Sequence, residues 1–381
     1  MGQELKQRVE YLVMDLKAYE DYEYGRKGLR HAVKTELYLW KKKQRDMTVI
    51  QVPQLYRDLW KQADRRIKGQ ELQDALNSDW KTFPSYRSDG NHLRIEDKHG
   101  QLLAYRLPIP IQYTETLAAT ADLIPISKSK EHMRGQTSEK YWGLWRKYKM
   151  EPYMSAEYKK DLPASQQWLD ANQPYFKHMS NILHILDPQM YVRYTSINRF
   201  LPEGLRSSCG IWYACEILRG MMDEGTPHKD ASDYHCGLNV NTAWGDFTTA
   251  TMVFWELKIT VEVKKGEALF FLPRILTHNV VDIQGGVRNV VNAFVHKNVL
   301  SWKDKQHKRV TGYLRGGLRR KRRKLELEEL RARNMGESST GGAGKAPESI
   351  QEEETSNTEG EMEALYHRGV EEDTEEEENQ D

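Results

Sequence analysis

Apolar positions recur with a helical period in the first part of the chain and with a strand period in the last third. Val9, Leu12, Val13 and Leu16 form one helical face, and Leu29, Val33, Leu37 and Trp40 form a second beyond a turn near Gly25 or Gly28. An extended Thr48–Val52 leads into short helical pieces at Pro53–Trp60 and Leu72–Leu76. His92–Ile95 and Leu102–Arg106 are predicted as hairpin arms around Asp97-Lys98-His99-Gly100. Leu117–Ala121 reads as a short helix. Pro174 opens a longer one, carried by Phe176, Met179, Leu183 and Leu186 and ended by Pro188. Tyr191–Tyr194 reads as a strand, and Trp212–Arg219 runs on into a β-rich stretch. Strands are predicted at Leu238–Val240, Thr251–Leu257, Ile259–Val263, Ala268–Leu272, Val280–Ile283 and Val287–Val295, separated by Gly and Lys-Gly punctuation. The class is α+β.

Charge divides the chain more sharply than its total of +1 suggests. Residues 337–381 hold 14 Glu and 2 Asp against Lys345 and Arg368, a net charge of −14, so residues 1–336 carry +15. So basic a body favours a polyanion as partner or substrate; enhanced solubility is the plainer account. Three cysteines cannot build a four-cysteine zinc site, and so few predict a reduced, intracellular protein. No run of apolar residues is long enough to span a membrane, and the first residues are charged from Glu4, so neither a membrane span nor a signal peptide is expected.

The chemistry concentrates between Gly225 and His296. His228 and Asp230 alternate across one residue, so an extended backbone points both side chains the same way. With His278 they supply two imidazoles and one carboxylate, the donor set that leaves open positions on non-haem Fe(II). Arg288 lies ten residues past His278, beyond a turn at Gln284-Gly285-Gly286. Its planar fork suits a carboxylate held bidentately. The plainer reading is a β-barrel with two satisfied polar histidines at strand ends and a rim salt bridge at Arg288.

This constellation resembles the Fe(II)- and 2-oxoglutarate-dependent dioxygenase superfamily. Trp212-Tyr213-Ala214-Cys215-Glu216, Gly225–Asp230, Gly266–Phe271 and His278–Asn289 look most like the fungal branch of its TET/JBP group. The resemblance covers roughly residues 180–300. It implies a double-stranded β-helix (jelly-roll, cupin-like) core with supporting helices. It implies Fe(II) on His228, Asp230 and His278, and 2-oxoglutarate held by Arg288, with dioxygen as the other reactant. Trp212, Tyr213, Glu216, Asp233 and His235 become candidates for the substrate pocket, against ordinary core and loop chemistry. Asn289 and Asn292, on the Arg288 strand, stand between the same two readings. Thr277 and Asn279 become candidates to orient the distal histidine. The implied activity is oxidation of the methyl group of 5-methylcytosine in double-stranded DNA, with N6-methyladenine as a second substrate. A protein (prolyl or lysyl) hydroxylase and a non-catalytic DNA-binding module are the alternatives. The cysteine-rich zinc region of mammalian-type members is missing, so a DNA grip must come from elsewhere.

Cations supply candidates for that grip. Lys140, Arg146 and Lys147 are interleaved with aromatics in a stretch near 127–149, although Trp142 and Trp145 also suit one packed helical face. Arg319, Arg320, Lys321, Arg322, Arg323 and Lys324 form a run that reads as a phosphate contact, a nuclear-import signal, or a solvated helix. The expected organisation is an N-terminal helical region (1–90), a dioxygenase domain (91–310) with the basic and aromatic insert, a basic segment (311–335) and an acidic disordered tail (336–381).

Overall fold

The computed structural model describes residues 47–63, 74, 77, 79–125, 130–132, 135–146, 149–201, 203–205, 209–222, 224–308, 323–325 and 327. Two compact units are distinguished, Met1–Arg315 and Gly316–Asp381. Of the second, only exposed helical residues around Arg323–Leu325 are described. The N-terminal helical faces, most of the Leu72–Leu76 piece and the acidic tail lie outside the described residues.

In the first unit, strands β1 (Thr48–Val52), β2 (Ser85–Tyr86), β3 (Leu93–Asp97), β4 (Leu102–Pro108), β5 (Lys130–His132), β6 (Gly135–Trp145) and β7 (Tyr153–Met154) precede the run of helices from Ala156 to Thr195, with short helices Tyr56–Lys61 and Ile111–Ala119 among them. After them come β8 (Ala214–Met221), β9 (Asn239–Gly245), β10 (Thr249–Phe254), β11 (Ile259–Lys264), β12 (Glu267–Phe271), β13 (His278–Gln284) and β14 (Arg288–Phe294). They form two sheets. The larger runs β1-β3-β4-β12-β9-β14-β8-β6-β5, with β7 beside β6; the smaller runs β13-β10-β11-β2. Pairing is antiparallel except for β1 with β3 and β2 with β11. The mixed architecture of large sheets with supporting helices accords with the α+β class expected. The hairpin and every strand read between residues 238 and 295 are present, with ends shifted by a few residues.

The alternation of side chains separates the two faces of the large sheet. On the outer face, Trp142 stacks edge-on against Trp168 at 5.7 Å, and the Tyr175 hydroxyl donates to Thr242 Oγ1 at 2.9 Å. Helices Leu162–Ala171 and Gln173–Leu186 are thereby seated on that face. Burying rings of this size contributes about 1.5–3 kcal/mol each. On the inner face, Phe271 of β12 meets Phe254 of the small sheet at 5.6 Å. The site lies between the sheets.

Two expectations are corrected. Tyr191–Tyr194 is helical, within Pro188–Thr195. Pro188 starts that helix, because the Asp187 carboxylate accepts from the Met190 amide at 2.8 Å and caps it. Met190 and Tyr194, one turn apart, are buried together. The rings near 127–149 are not on a helix: Trp142 and Trp145 belong to β6, an eleven-residue strand that pairs with β8 from Ser138↔Arg219 to Gly143↔Ala214. β6 is thus an integral strand of the large sheet, and Trp142 is fully buried.

Candidate active site

His228 lies on an irregular segment between β8 and β9, yet its backbone is pinned. Its amide donates to the His278 carbonyl at 3.1 Å, and the His278 amide returns the bond at 2.9 Å. This isolated antiparallel bridge sets the two imidazoles side by side, with ring centroids 4.6 Å apart. The Asp230 amide donates to the Pro273 carbonyl at 3.1 Å, which holds the carboxylate beside them. Nε2 of His228 is 3.6 Å from Asp230 Oδ1, and Nε2 of His278 is 3.9 Å from Asp230 Oδ2. One donor atom from each of the three residues lies within 4.8 Å of the other two.

Each ring is held through its other nitrogen. Nδ1 of His228 is 2.7 Å from the Thr226 carbonyl, and Nδ1 of His278 is 2.9 Å from the Leu276 carbonyl. A carbonyl only accepts, so each Nδ1 donates to it and each Nε2 is the ring nitrogen left facing Asp230. Two imidazoles and a carboxylate converging on one point are a facial ligand set for a divalent metal, and Fe(II) fits it. The edge of Phe271, 4.8 Å from His278, closes one side with apolar surface.

Arg288 begins β14 on the inner face of the large sheet, where a glycine lets the facing backbone of Val287 come close. Opposite Arg288, Gly245 has φ +123°, and a Cβ there would collide with the Val287 carbonyl oxygen. The turn before Arg288 is built by Gly285 and Gly286, at φ +82° and +137°, as its sequence suggests. Arg288 is 2 % exposed. Its Nη2 donates to Asn241 Oδ1 at 3.2 Å, its Nη1 faces Met221 Sδ at 3.4 Å, and its Nε has no partner. No carboxylate among the described residues pairs with it. Desolvation alone lowers its pKa from the usual guanidinium range to about 10. A buried cation held by neutral groups, with donor capacity to spare, fits an anionic carboxylate brought by a ligand.

The pocket candidates divide. Trp212 is fully buried and donates from Nε1 to the Leu238 carbonyl at 3.2 Å. Tyr213 is 2 % exposed and donates to the Tyr194 carbonyl at 3.0 Å; burial raises its hydroxyl pKa well above the ordinary value. Both are buried in the core. Glu216 does line the inner face, accepting from the Tyr141 hydroxyl at 2.7 Å and from Asn292 Nδ2 at 3.4 Å. Asp233 is buried close after the ligand segment, accepting from Asn239 Nδ2 at 2.5 Å and bridging by backbone to His296. His235 is half-buried, its ring 5.5 Å from the exposed Trp60.

The cations divide as well. Lys140 is buried in an ion pair with Asp161 at 2.9 Å, with both side chains about a tenth exposed, so it is unavailable to a phosphate. Arg146 donates from Nε to the Met150 carbonyl at 2.9 Å at the surface. Arg323 and Lys324 are exposed on helical backbone, whereas Lys147, Arg319, Arg320, Lys321 and Arg322 lie outside the described residues. Asn241 and Tyr141 escaped the reading of the sequence. The signal for Asn241 was there: Asn239 and Asn241 alternate within an otherwise apolar strand, and so mark its inner face.

No family model matches the chain, and no curated protein matches it. Solved structures similar to it include NgTET1 in complex with 5mC DNA, with TM-score 0.44 and 15 % identity, covering 64 % of this chain and 92 % of that one. Another is an oxidoreductase of the 2OG-Fe(II) oxygenase family from Burkholderia pseudomallei, at TM-score 0.32 and 15 % identity over 51 % and 85 % of the two chains. A third is the viral collagen prolyl hydroxylase of Paramecium Bursaria Chlorella virus-1 in its 2OG complex, at TM-score 0.26 and 12 % identity over 50 % and 94 %.

Proposed function

We propose that this chain is an Fe(II)- and 2-oxoglutarate-dependent dioxygenase that oxidises the methyl group of 5-methylcytosine in DNA, with N6-methyladenine as a second substrate. The observation that carries the oxygenase reading is the pairing of the two half-sites. His228, Asp230 and His278 converge on one point, and on the facing sheet a buried Arg288 has no carboxylate partner among the described residues. On this reading the two sheets are the walls of a double-stranded β-helix.

His228, Asp230 and His278 would hold the metal, and Arg288 the distal carboxylate of 2-oxoglutarate. When bound with dioxygen, that pair supplies oxidation of an unactivated C–H bond. The chain's own part is positioning and exclusion of water. Backbone carbonyls hold both imidazole rings. Asn241 and Met221 fix the guanidinium plane, and Phe271 and Phe254 keep the interior apolar.

The DNA reading is supported by the +15 charge of residues 1–336. A methylated base in a duplex must leave the stack to reach a site between two sheets. A nuclear location goes with this reading, and the basic run at 319–324 would supply it. The test is mass spectrometry of nucleosides from methylated duplexes incubated with protein, Fe(II) and 2-oxoglutarate. Hydroxymethylcytosine, or unmodified adenine from N6-methyladenine, is the expected product. Turnover of 2-oxoglutarate that ignores DNA would transfer the site to protein hydroxylation.

A further inference from the structure

Lys229 stands between two candidate ligands and Thr277 stands next to the third, and both side chains meet one carboxylate. Glu256 Oε1 accepts from the Thr277 hydroxyl at 2.7 Å and from Lys229 Nζ at 3.1 Å, and Glu256 Oε2 accepts from the Thr277 amide at 2.7 Å. The Lys229 side chain is only 5 % exposed. Because side chains alternate along an extended backbone, Thr277 and Lys229 turn away from the metal point as their neighbours turn toward it. Thr277 and Asn279 are thereby turned toward neighbouring segments, and they fasten the strand that bears the distal imidazole.

Glu256 occupies the turn between β10 and β11, and the rest of that turn ties the same two segments together. The Trp255 amide donates to the Thr277 carbonyl at 3.1 Å. The Trp255 indole donates to Asn279 Oδ1 at 2.7 Å, and Asn279 Nδ2 donates to the Gly225 carbonyl at 2.7 Å. The segment after β1 braces it, with Gln54 Nε2 on the Glu256 carbonyl at 2.8 Å and the Gln62 carbonyl on Lys229 Nζ at 3.2 Å.

We infer that Glu256 is a positioning residue for metal binding, a yoke that holds the His228–Asp230 segment and the His278 strand at the separation a single ion requires. The inference rests on the reading of those three residues as ligands. An ordinary ion pair would add stability without regard to the metal. A carboxylate shared by both ligand-bearing segments sets the geometry of the donor set, and outer partners of this kind typically change metal affinity about 10- to 100-fold.

The experiment is a spectroscopic titration of the full chain with Co(II), comparing wild type with Glu256→Gln, Thr277→Val, Thr277→Ser and His228→Ala. The expected result is one Co(II) site in wild type, its loss in His228→Ala, and Co(II) affinity weakened about 10- to 100-fold in Glu256→Gln. Thr277→Val should shift the same way and Thr277→Ser should restore wild-type affinity, because the hydroxyl is the group that matters. Should Glu256→Gln fail to fold, the nearly isosteric Thr277→Val, set against Thr277→Ser, decides the matter. Wild-type affinity and an unchanged Co(II) spectrum in Thr277→Val, whatever its thermal midpoint, would overturn the yoke and leave the ligand reading standing. Absence of a Co(II) site that depends on His228 would remove the ligand reading itself.

Discussion

His228 and His278 exchange both of their backbone hydrogen bonds, at 3.1 and 2.9 Å, although fifty residues separate them. Their rings are therefore placed by the chain and not by an ion. His228→Ala and Asp230→Ala should abolish stoichiometric Fe(II) binding and product formation while leaving the metal-free fold intact. Metal content after desalting, read beside circular dichroism, checks this. Either variant retaining wild-type turnover would remove the residue from the ligand set.

Arg288 separates binding from stability. Arg288→Lys keeps the charge and loses the planar fork, so the apparent KM for 2-oxoglutarate should rise about 10- to 150-fold, matching a charged hydrogen bond of about 1.5–3 kcal/mol. Arg288→Met should abolish use of the co-substrate and yet raise the thermal midpoint of the ligand-free protein. Lowering the guanidinium to about 10 on a residue 2 % exposed corresponds to a burial penalty on the order of 3 kcal/mol. A 2-oxoglutarate titration and thermal melts without ligand test both halves. A ligand-free Arg288→Met less stable than wild type would make the arginine a structural residue.

The same group sets an alkaline limit. Arg288 is a base whose pKa is lowered by folding, so its charged form is present below about 10 and lost above it. Affinity for a dicarboxylate should stay level from neutral pH upward and weaken as pH rises through about 10. In the unfolded chain the guanidinium keeps its proton to higher pH, so this residue's contribution to stability rises with pH above about 10. Ligand-detected calorimetry or NMR at successive pH values reads the first effect. A bound anion should move the limit upward.

Lys140 and the surface cations should behave oppositely. Lys140→Ala strands Asp161 in a nearly buried site and should cost up to about 3 kcal/mol, with DNA affinity unchanged. DNA affinity of the intact protein should fall steeply between about 50 and 200 mM salt, as phosphate contacts require. Fluorescence anisotropy measures it, and a flat response would argue for a protein or small-molecule substrate.

What the sequence disclosed follows from what is local. His228 and Asp230 are two residues apart, and an extended backbone alone aligns them. The strands from residue 238 onward announce themselves by composition. Two inner-face partners did not, because their meaning depends on pairing across strands: Asn241 matters only because β9 lies beside β14, and Tyr141 only because β6 lies beside β8. Tyr194 misled because its neighbours have strand composition, while the deciding interaction is a cap from Asp187. Lys140 misled because its counter-charge is 21 residues away in sequence.

The sheet order places a demand on synthesis. β4 is buried along nearly its whole length, and its partner away from β3 is β12, with Ala268 opposite Leu107. About 160 residues therefore emerge from the ribosome between the two, which at roughly 5–20 residues per second takes about 8–30 s. For that time an apolar strand edge waits without its mate, in a nascent chain whose large sheet cannot yet close. Closure of the large sheet therefore waits on the second half of its strands, and β4 is the edge that stands open longest before its partner arrives.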